Sequence, residues 1–495
     1  MTYPAPRSAP RAPALTRRQL LKGGGAALTL GGLGLGLGLG GPLAPRTAQA
    51  ATGFDLTPAP APINMVGSRW PATEVWAYGG TVPGPLIRAK QGARIAIDVE
   101  NGLDQPTTVH WHGLRIPNAM DGVPDLTQPA IAPGARFTYT FDLPDAGTFW
   151  YHPHVRSDEQ VGRGLYGALI VDEALPPRVD RDILWVLDDW RLNEDASLTG
   201  GFGQGMDMSH GGRVGGTVTI NGQVVGIDDK PALTVKTGER IRLRLINTAN
   251  ARIFGLNFAG FAARVIALDG QPVTPHTPAG GRVVLGPGSR ADVILDATGT
   301  PGETVQIVDD YYARYAYALA DVAYDAAALR ADPLTTPIAL APNPVAEPDL
   351  DNAETHDVVI SGGAMGRMQR AEFEGREIGT MELFQRGKAW AINGVAAHAI
   401  DMPAFLTLQQ NRTYILRLAN DTAFPHPMHL HGFAFRLLLL NGRRVAHQPW
   451  LDTVLLEAGD TAEVAFVADN PGRWLFHCHI LEHAAAGMAG VIDVI

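Results

Sequence analysis

The chain is predicted to be all-β, built from three copies of one β-sandwich, and three observations say so. With 57 glycines and 37 prolines cutting 495 residues into short apolar stretches, turns are frequent and long helices are scarce. One eight-residue pattern recurs at 94–101, 240–247 and 413–420: apolar residues alternate at period two and an asparagine closes the run, as in a half-buried strand ending in a turn. The copies stand 146 and then 173 positions apart, the spacing of whole domains. Each is followed by an echo that opens a further strand, at Gly134-Ala135-Arg136, Gly288-Ser289-Arg290 and Gly459-Asp460-Thr461.

Residues 1–50 read as an address. Thr16-Arg17-Arg18-Gln19-Leu20-Leu21-Lys22 is a twin-arginine pattern, a Gly- and Leu-rich stretch follows from Gly23 to Gly41, and Ala48-Gln49-Ala50 suits a signal peptidase. A run so rich in glycine is a poor membrane anchor, so the expectation is a signal peptide read by the twin-arginine export machinery. The mature chain then starts near Ala51, has no membrane span, and works in the periplasm. The remaining residues, at ~150 per domain, match the three repeats. The first sandwich is expected over 51–175, the second over 176–330 and the third over 353–495. The stretch 331–352, proline-rich from Pro333 to Pro348, is the linker between the last two. A net charge of -10 and a pI near 5.8 exclude a nucleic-acid partner and leave no basic footprint for an anionic membrane.

Cys478 is the only cysteine. It has no internal disulfide partner, and a free exported thiol is a hazard, so its place between His477 and His479 points to a bound metal. A thiolate, two imidazoles and a weak thioether favour copper, and Cys478, His483 and Met488 supply three of those four within eleven positions. Eight of the 15 histidines form four His-X-His pairs: His110 and His112, His152 and His154, His429 and His431, His477 and His479. Residues i and i+2 of a strand share a face, so each pair offers two imidazoles to one target. His110-Trp111-His112-Gly113 in the first domain corresponds to His429-Leu430-His431-Gly432 in the third. Gly147 to His154 likewise corresponds to Gly472 to His479, with Pro153 where the third domain has Cys478. The two outer domains are thus expected to enclose a metal cluster between equivalent surfaces. The middle domain, which reads Gly255-Leu256-Asn257-Phe258-Ala259-Gly260 at the comparable position, serves as a spacer. By the same alternation Cys478 points away from His477 and His479, so three consecutive residues touch two metal sites.

The motifs HWHG at 110–113, WYHPH at 150–154, HPMHLHG at 426–432 and HCHILEHAAAGM at 477–488 together resemble those of the multicopper oxidases, the family of laccases, cuprous oxidases and bilirubin oxidases. The resemblance covers nearly all of the chain after residue 50. It implies three cupredoxin-like Greek-key β-sandwich domains and four copper ions. His426, Cys478, His483 and axial Met488 would form the type 1 site, which takes electrons from substrate. His110 and His429 would hold the type 2 copper. One type 3 copper would lie on His112, His152 and His479, the other on His154, His431 and His477. Asp121 matches a family acid near the type 2 copper that assists proton delivery. A methionine at the axial position implies a lower type 1 potential than the Leu or Phe of some fungal laccases. The chain departs from several bacterial members at Ala484, where they have a glutamate proposed as a proton relay.

The implied activity is one-electron oxidation of small donors coupled to four-electron reduction of O2 to water. Phenols and aromatic amines are the expected donors, with Cu(I) as an additional one. Enzymes specialised for Cu(I) have a long methionine-rich insert; here Met365, Met368 and Met381 precede the third domain, and Met206-Asp207-Met208-Ser209-His210 is a compact soft cluster in the second. The alternatives are a periplasmic cuprous oxidase for copper tolerance and a non-enzymatic copper-binding or structural protein of the same fold. His210, His276, His356, His398 and His447 stand outside the motifs and are expected to be exposed or structural.

Overall fold

The structure, a computed structural model, describes residues 52–226 and 232–495. The twin-arginine reading lies outside these residues. Among the described residues no helix is long and apolar enough to cross a membrane.

The recurring eight-residue pattern forms the same strand in three places, Arg94–Glu100, Arg240–Asn247 and Thr413–Asp421. Each pairs antiparallel with the strand that its echo opens: Arg136–Asp142, Arg290–Asp296 and Thr461–Val467. Each also pairs in parallel with the leading strand of its module, Thr52–Leu56, Arg181–Trp190 or Glu354–Gly362. The closing asparagine has a buried structural task. The side-chain amide of Asn101 donates to the Ile131 carbonyl, that of Asn247 to Leu285 and that of Asn420 to Leu456, at 2.9, 2.9 and 3.2 Å. The Oδ1 of each accepts the backbone N–H two residues on, as an Asx turn requires. One amide thus satisfies backbone groups where the chain leaves one sheet for the other.

Each module packs two sheets around its own apolar core, which is the β-sandwich architecture. In the first, the inner faces of Arg94–Glu100 and Arg136–Asp142 meet the sheet Gly84–Lys90, Gly167–Asp172, Gly147–His152, His110–His112. In the third, the sheet with metal-site strands runs Leu406–Leu408, Ala489–Val494, Gly472–Cys478, His426–Leu430, Thr453–Leu456. The two outer modules repeat one pairing: His110 faces His152 across the first, and His429 faces His477 across the third. Residues 331–352 contain no strand and bind back to other modules. Asn343 donates to the Ala146 carbonyl and to Gln271 Oε1 at 2.8 and 2.9 Å, joining the stretch to the first and middle sandwiches.

Trp474 anchors the strand that ends in Cys478. It is fully buried, packs edge-on to Phe433 at 5.6 Å, and its indole N–H reaches the Asn470 carbonyl at 2.9 Å. Trp474→Ala is expected to cost about 3–5 kcal/mol through cavity formation, read as a lower urea midpoint at unchanged slope. A midpoint within experimental error of the parent would show that this strand is held by other contacts.

Candidate metal centre

The strands bring eight histidines into one buried space, four from each outer module: His110, His112, His152, His154, His429, His431, His477 and His479. Their nitrogens fall into tight groups in which all ligand atoms lie within 4.8 Å of one another: His110, His112 and His429; His112, His152 and His479; and His154, His431 and His477. Most rings are locked in one tautomer by a bond on the far side. Nδ1–H donates to a backbone carbonyl in His110 (Asp121, 2.8 Å), His152 (Pro153, 2.9 Å), His429 (Asp452, 2.9 Å) and His477 (Cys478, 2.8 Å). In His431 it donates to Asp121 Oδ2 at 2.9 Å.

The lone pairs that remain point inward. Nε2 of His110, His152 and His429, Nδ1 of His112, and both ring nitrogens of His154 and His479 are buried without any hydrogen-bond partner. Nε2 of His431 and Nε2 of His477 face each other at 3.0 Å although each ring donates its proton elsewhere. Such a set of unpartnered ring nitrogens, with at least one bare lone pair on each ring, is costly in a protein interior unless cations occupy the space. Burial, followed by the neighbouring imidazoles, drives His112, His152, His154, His431 and His479 far below the usual histidine range, so these five rings stand neutral and ready to ligate.

On the opposite face of the strand Gly472–Cys478, Cys478 Sγ lies 3.5 Å from His426 Nδ1 and 3.8 Å from His483 Nδ1, and the two nitrogens are 3.1 Å apart. The outer nitrogens are engaged: Nε2–H of His426 donates to Thr422 Oγ1 at 2.8 Å and Nε2–H of His483 to the His210 carbonyl at 2.6 Å. Met488 is fully buried in the same cluster, and its carbonyl accepts the Cys478 N–H at 3.1 Å. Burial pushes the Cys478 thiol far up, so ionisation there needs a metal cation. Sulfur, two imidazoles and a thioether suit copper.

Family models described as multicopper oxidase match residues 62–175, 181–330 and 377–495. The chain is 34% identical to the multicopper oxidase MmcO of Mycobacterium tuberculosis, over 89% of this chain and 86% of that protein. It is 29% identical to Laccase-1 of Botryotinia fuckeliana, over 83% of this chain and 77% of that one. It superposes on the multi-copper oxidase of Pseudomonas thermotolerans with a TM-score of 0.77 at 34% identity, covering 90% of this chain and all of the other. The chain belongs to the multicopper oxidase family. It is an oxidoreductase with copper as its cofactor, and its modules are cupredoxin-like sandwiches.

Asp121 follows the 3-10 turn Asn118–Met120 and touches a histidine from each outer module of the oxidase: Oδ2 accepts from His431, and Oδ1 lies 3.2 Å from His110 Nδ1. A second acid went unnoticed in the sequence. Asp452 Oδ1 accepts Nε2–H of His112 at 3.0 Å, and its backbone carbonyl accepts Nδ1–H of His429. Burial alone would raise this carboxyl, but Arg290 and His429 outweigh it and hold it below the ordinary carboxylate range. The available signal was an acid inside the apolar run Trp450-Leu451-Asp452-Thr453-Val454-Leu455-Leu456.

The middle module adds no residue to the metal groups among the described residues, yet it is more than a spacer. Besides Arg290, it supplies the His210 carbonyl that orients His483. It also holds the buried Glu482 carboxylate, through Asn250 Nδ2 at 2.7 Å and the Arg213 N–H at 3.1 Å. Burial pushes Glu482 up to about 7. His398 lines a cavity of about 150 Å³ whose walls include His154, His477, Asp158, Lys388 and Ala484. His276 and His447 stack with planes 16° apart.

Burial holds His477 and His483 down to about 3. In the unfolded chain they protonate near the ordinary ~6.5, so below that pH the unfolded state binds protons that the folded state refuses. Their stability is therefore complete above ~6.5 and lost as pH falls toward 3. The urea midpoint of the copper-free oxidase is expected to fall on acidification from about pH 7 to about pH 5, and the copper-loaded midpoint to fall more steeply, because the thiolate and imidazoles held by copper take up protons only on unfolding. Equal pH dependence of the two forms would contradict this.

Proposed function

We propose that the enzyme is a laccase-like oxidase of phenols and aromatic amines that passes electrons through Cys478 to an oxygen-reducing cluster. In this reading His426, Cys478, His483 and Met488 hold the type 1 copper, and His110 and His429 the type 2. His112, His152 and His479 hold one type 3 copper, and His154, His431 and His477 the other, four ions in all. Copper there supplies one-electron chemistry beside the sulfur and a centre at which O2 with four electrons and four protons becomes two waters.

The observation that supports this most is the single strand on which Cys478 faces His426 and His483 while its two neighbours face the other histidines. The path from thiolate to cluster is then a few backbone bonds. Trp390 covers the outer site, its ring 4.3 Å from His483 and 4.9 Å from His426, and excludes water from the sulfur. Asp121, within hydrogen-bond reach of two cluster histidines, is the residue proposed to hold a proton there. The cavity between His154, His477 and Ala484 suits the approach of O2 and protons from the other side. Delivery of the enzyme to the periplasm by the twin-arginine route remains part of the proposal and is tested by fractionation of cells producing a form with Arg17 and Arg18 changed to lysine.

Cu(I) as a further donor is favoured by one observation. The segment with Met206 and Met208 lies against the outer site: the Trp390 indole N–H donates to the Met208 carbonyl at 2.7 Å, and Ala364 N–H to the Ser209 carbonyl at 2.7 Å. Met206 and Met365 are exposed beside it and offer soft thioethers to solvent. Changing both to leucine is expected to slow oxygen uptake with Cu(I) while leaving uptake with a phenol unchanged; equal effects on both donors would remove the cuprous reading.

An oxygen electrode tests the main reading with wild type and Cys478→Ser. The wild type should take up oxygen with a phenolic donor, contain four coppers and show a blue band. The variant should lose colour and uptake but keep three coppers. Full uptake by the variant would exclude the route through sulfur. Ala484→Glu, which adds a carboxyl to the cavity, should raise turnover if proton supply limits the rate, and unchanged turnover would show that it does not.

A further inference from the structure

The turn Gly288-Ser289-Arg290 appeared in the sequence only as a strand opener, yet in the middle module it lies against the histidine cluster. Arg290 is wholly buried and grips Asp452 with both prongs, Nη1 to Oδ1 at 2.8 Å and Nη2 to Oδ2 at 2.6 Å. Its Nε donates to the Thr148 carbonyl of the first module at 3.2 Å and Nη1 to the Gly288 carbonyl at 3.1 Å. Asp269 completes the arrangement from the middle module: its Oδ1 accepts the Arg290 backbone N–H at 2.9 Å, and its Oδ2 accepts the N–H groups of Asp452 and Thr453 at 3.2 and 3.1 Å. Three modules therefore meet at one guanidinium, and the carboxylate it grips is the one bonded to His112.

Two glycines record how close this packing is. Gly288, at φ +86°, lies so near the cluster that a methyl group there would sit 2.9 Å from the His479 ring and 3.0 Å from His112 Cε1. Gly113, the last residue of the first histidine motif, has φ +84°, and a methyl group there would collide with the Arg290 guanidinium and the Asp452 carboxylate. The glycine of that motif thus makes room for this ion pair. At the equivalent turn of the first module, Arg136 is exposed and pairs with surface Glu100, far from such a task.

We propose that Arg290 is a positioning residue of the oxygen-reducing cluster: by fixing Asp452 it sets the ring of His112 and the carbonyl that orients His429, so that the module without copper ligands controls type 2 copper. The inference rests on the ligand reading above. A bidentate guanidinium holds both carboxylate oxygens in one plane, which an ammonium cannot do. The type 1 group makes no contact with Arg290 among the described hydrogen bonds, so it should be indifferent to the change.

The test uses the copper-loaded enzyme with Arg290→Met, Arg290→Lys and, as control, Arg136→Met, measuring copper per chain, the type 2 electron paramagnetic resonance signal and the blue absorption. Arg290→Met is expected to lose the type 2 signal and at least one copper while keeping its blue band. Arg290→Lys should keep its copper with a shifted type 2 hyperfine splitting, and Arg136→Met should match wild type. If Arg290→Met does not fold, Arg290→Lys decides. A full copper count with a wild-type type 2 spectrum in every folded variant overturns the proposal, as does loss of the blue band in proportion to type 2 copper, which would mean general damage. A wild type that itself shows no type 2 signal, or His429→Ala retaining it, sinks the ligand reading and this inference with it; a native wild type beside unchanged variants sinks this inference alone.

Discussion

The period of two along one strand is the constraint from which the rest follows. Because successive side chains of a strand leave on opposite faces, His477 and Cys478 cannot serve one metal, and the continuation to His479 returns to the first face. The partner strand His426–Leu430 repeats the division: His426 approaches the sulfur, while His429 stands opposite His477. One ladder of backbone bonds therefore separates two metal sites and also joins them. Trp474 and the third module's apolar core pack against it.

Burial then decides the chemistry of both faces. The interior keeps imidazoles neutral and a thiol protonated, so the folded chain offers unsatisfied lone pairs on one side and an ionisable sulfur on the other. Each is unfavourable alone, and each becomes favourable with a cation. The far-side bonds to carbonyls and carboxylates set which nitrogen faces inward, and they come from whichever module happens to be adjacent: Asp121 from the first, His210 from the middle, Asp452 from the third. Symmetric outer sandwiches supply the clustered histidines, and the asymmetric remainder orients them.

The fold and the clustering of the histidines were legible in the sequence because both are written at short range. A strand's alternation, a closing asparagine and a His-X-His pair each occupy a few residues, and threefold repetition turned weak local signals into an architecture. The supporting residues were not legible, because their partners are remote. His112 and Asp452 are 340 positions apart, Arg290 and Asp452 are 162 apart, and His210 and His483 are 273 apart. Asp452 and Arg290 each look like an ordinary strand-end charge until the modules are assembled. Met206 to His210 was visible as a soft cluster, but nothing local could say that its backbone caps His483. The reading of the middle module as a spacer rested on the histidine pairs it lacks, and left out a guanidinium and a carbonyl whose partners lie in the third module.

The central claim is that one strand separates a sulfur-bound copper from a group of three held by eight imidazoles. Anomalous scattering at the copper edge from crystals of the loaded enzyme tests it directly. The account predicts four peaks, one beside Cys478, His426 and His483 and three among the histidines of the two outer modules. Peaks on only one face of the strand, or copper at the stacked pair His276 and His447 instead, would contradict it.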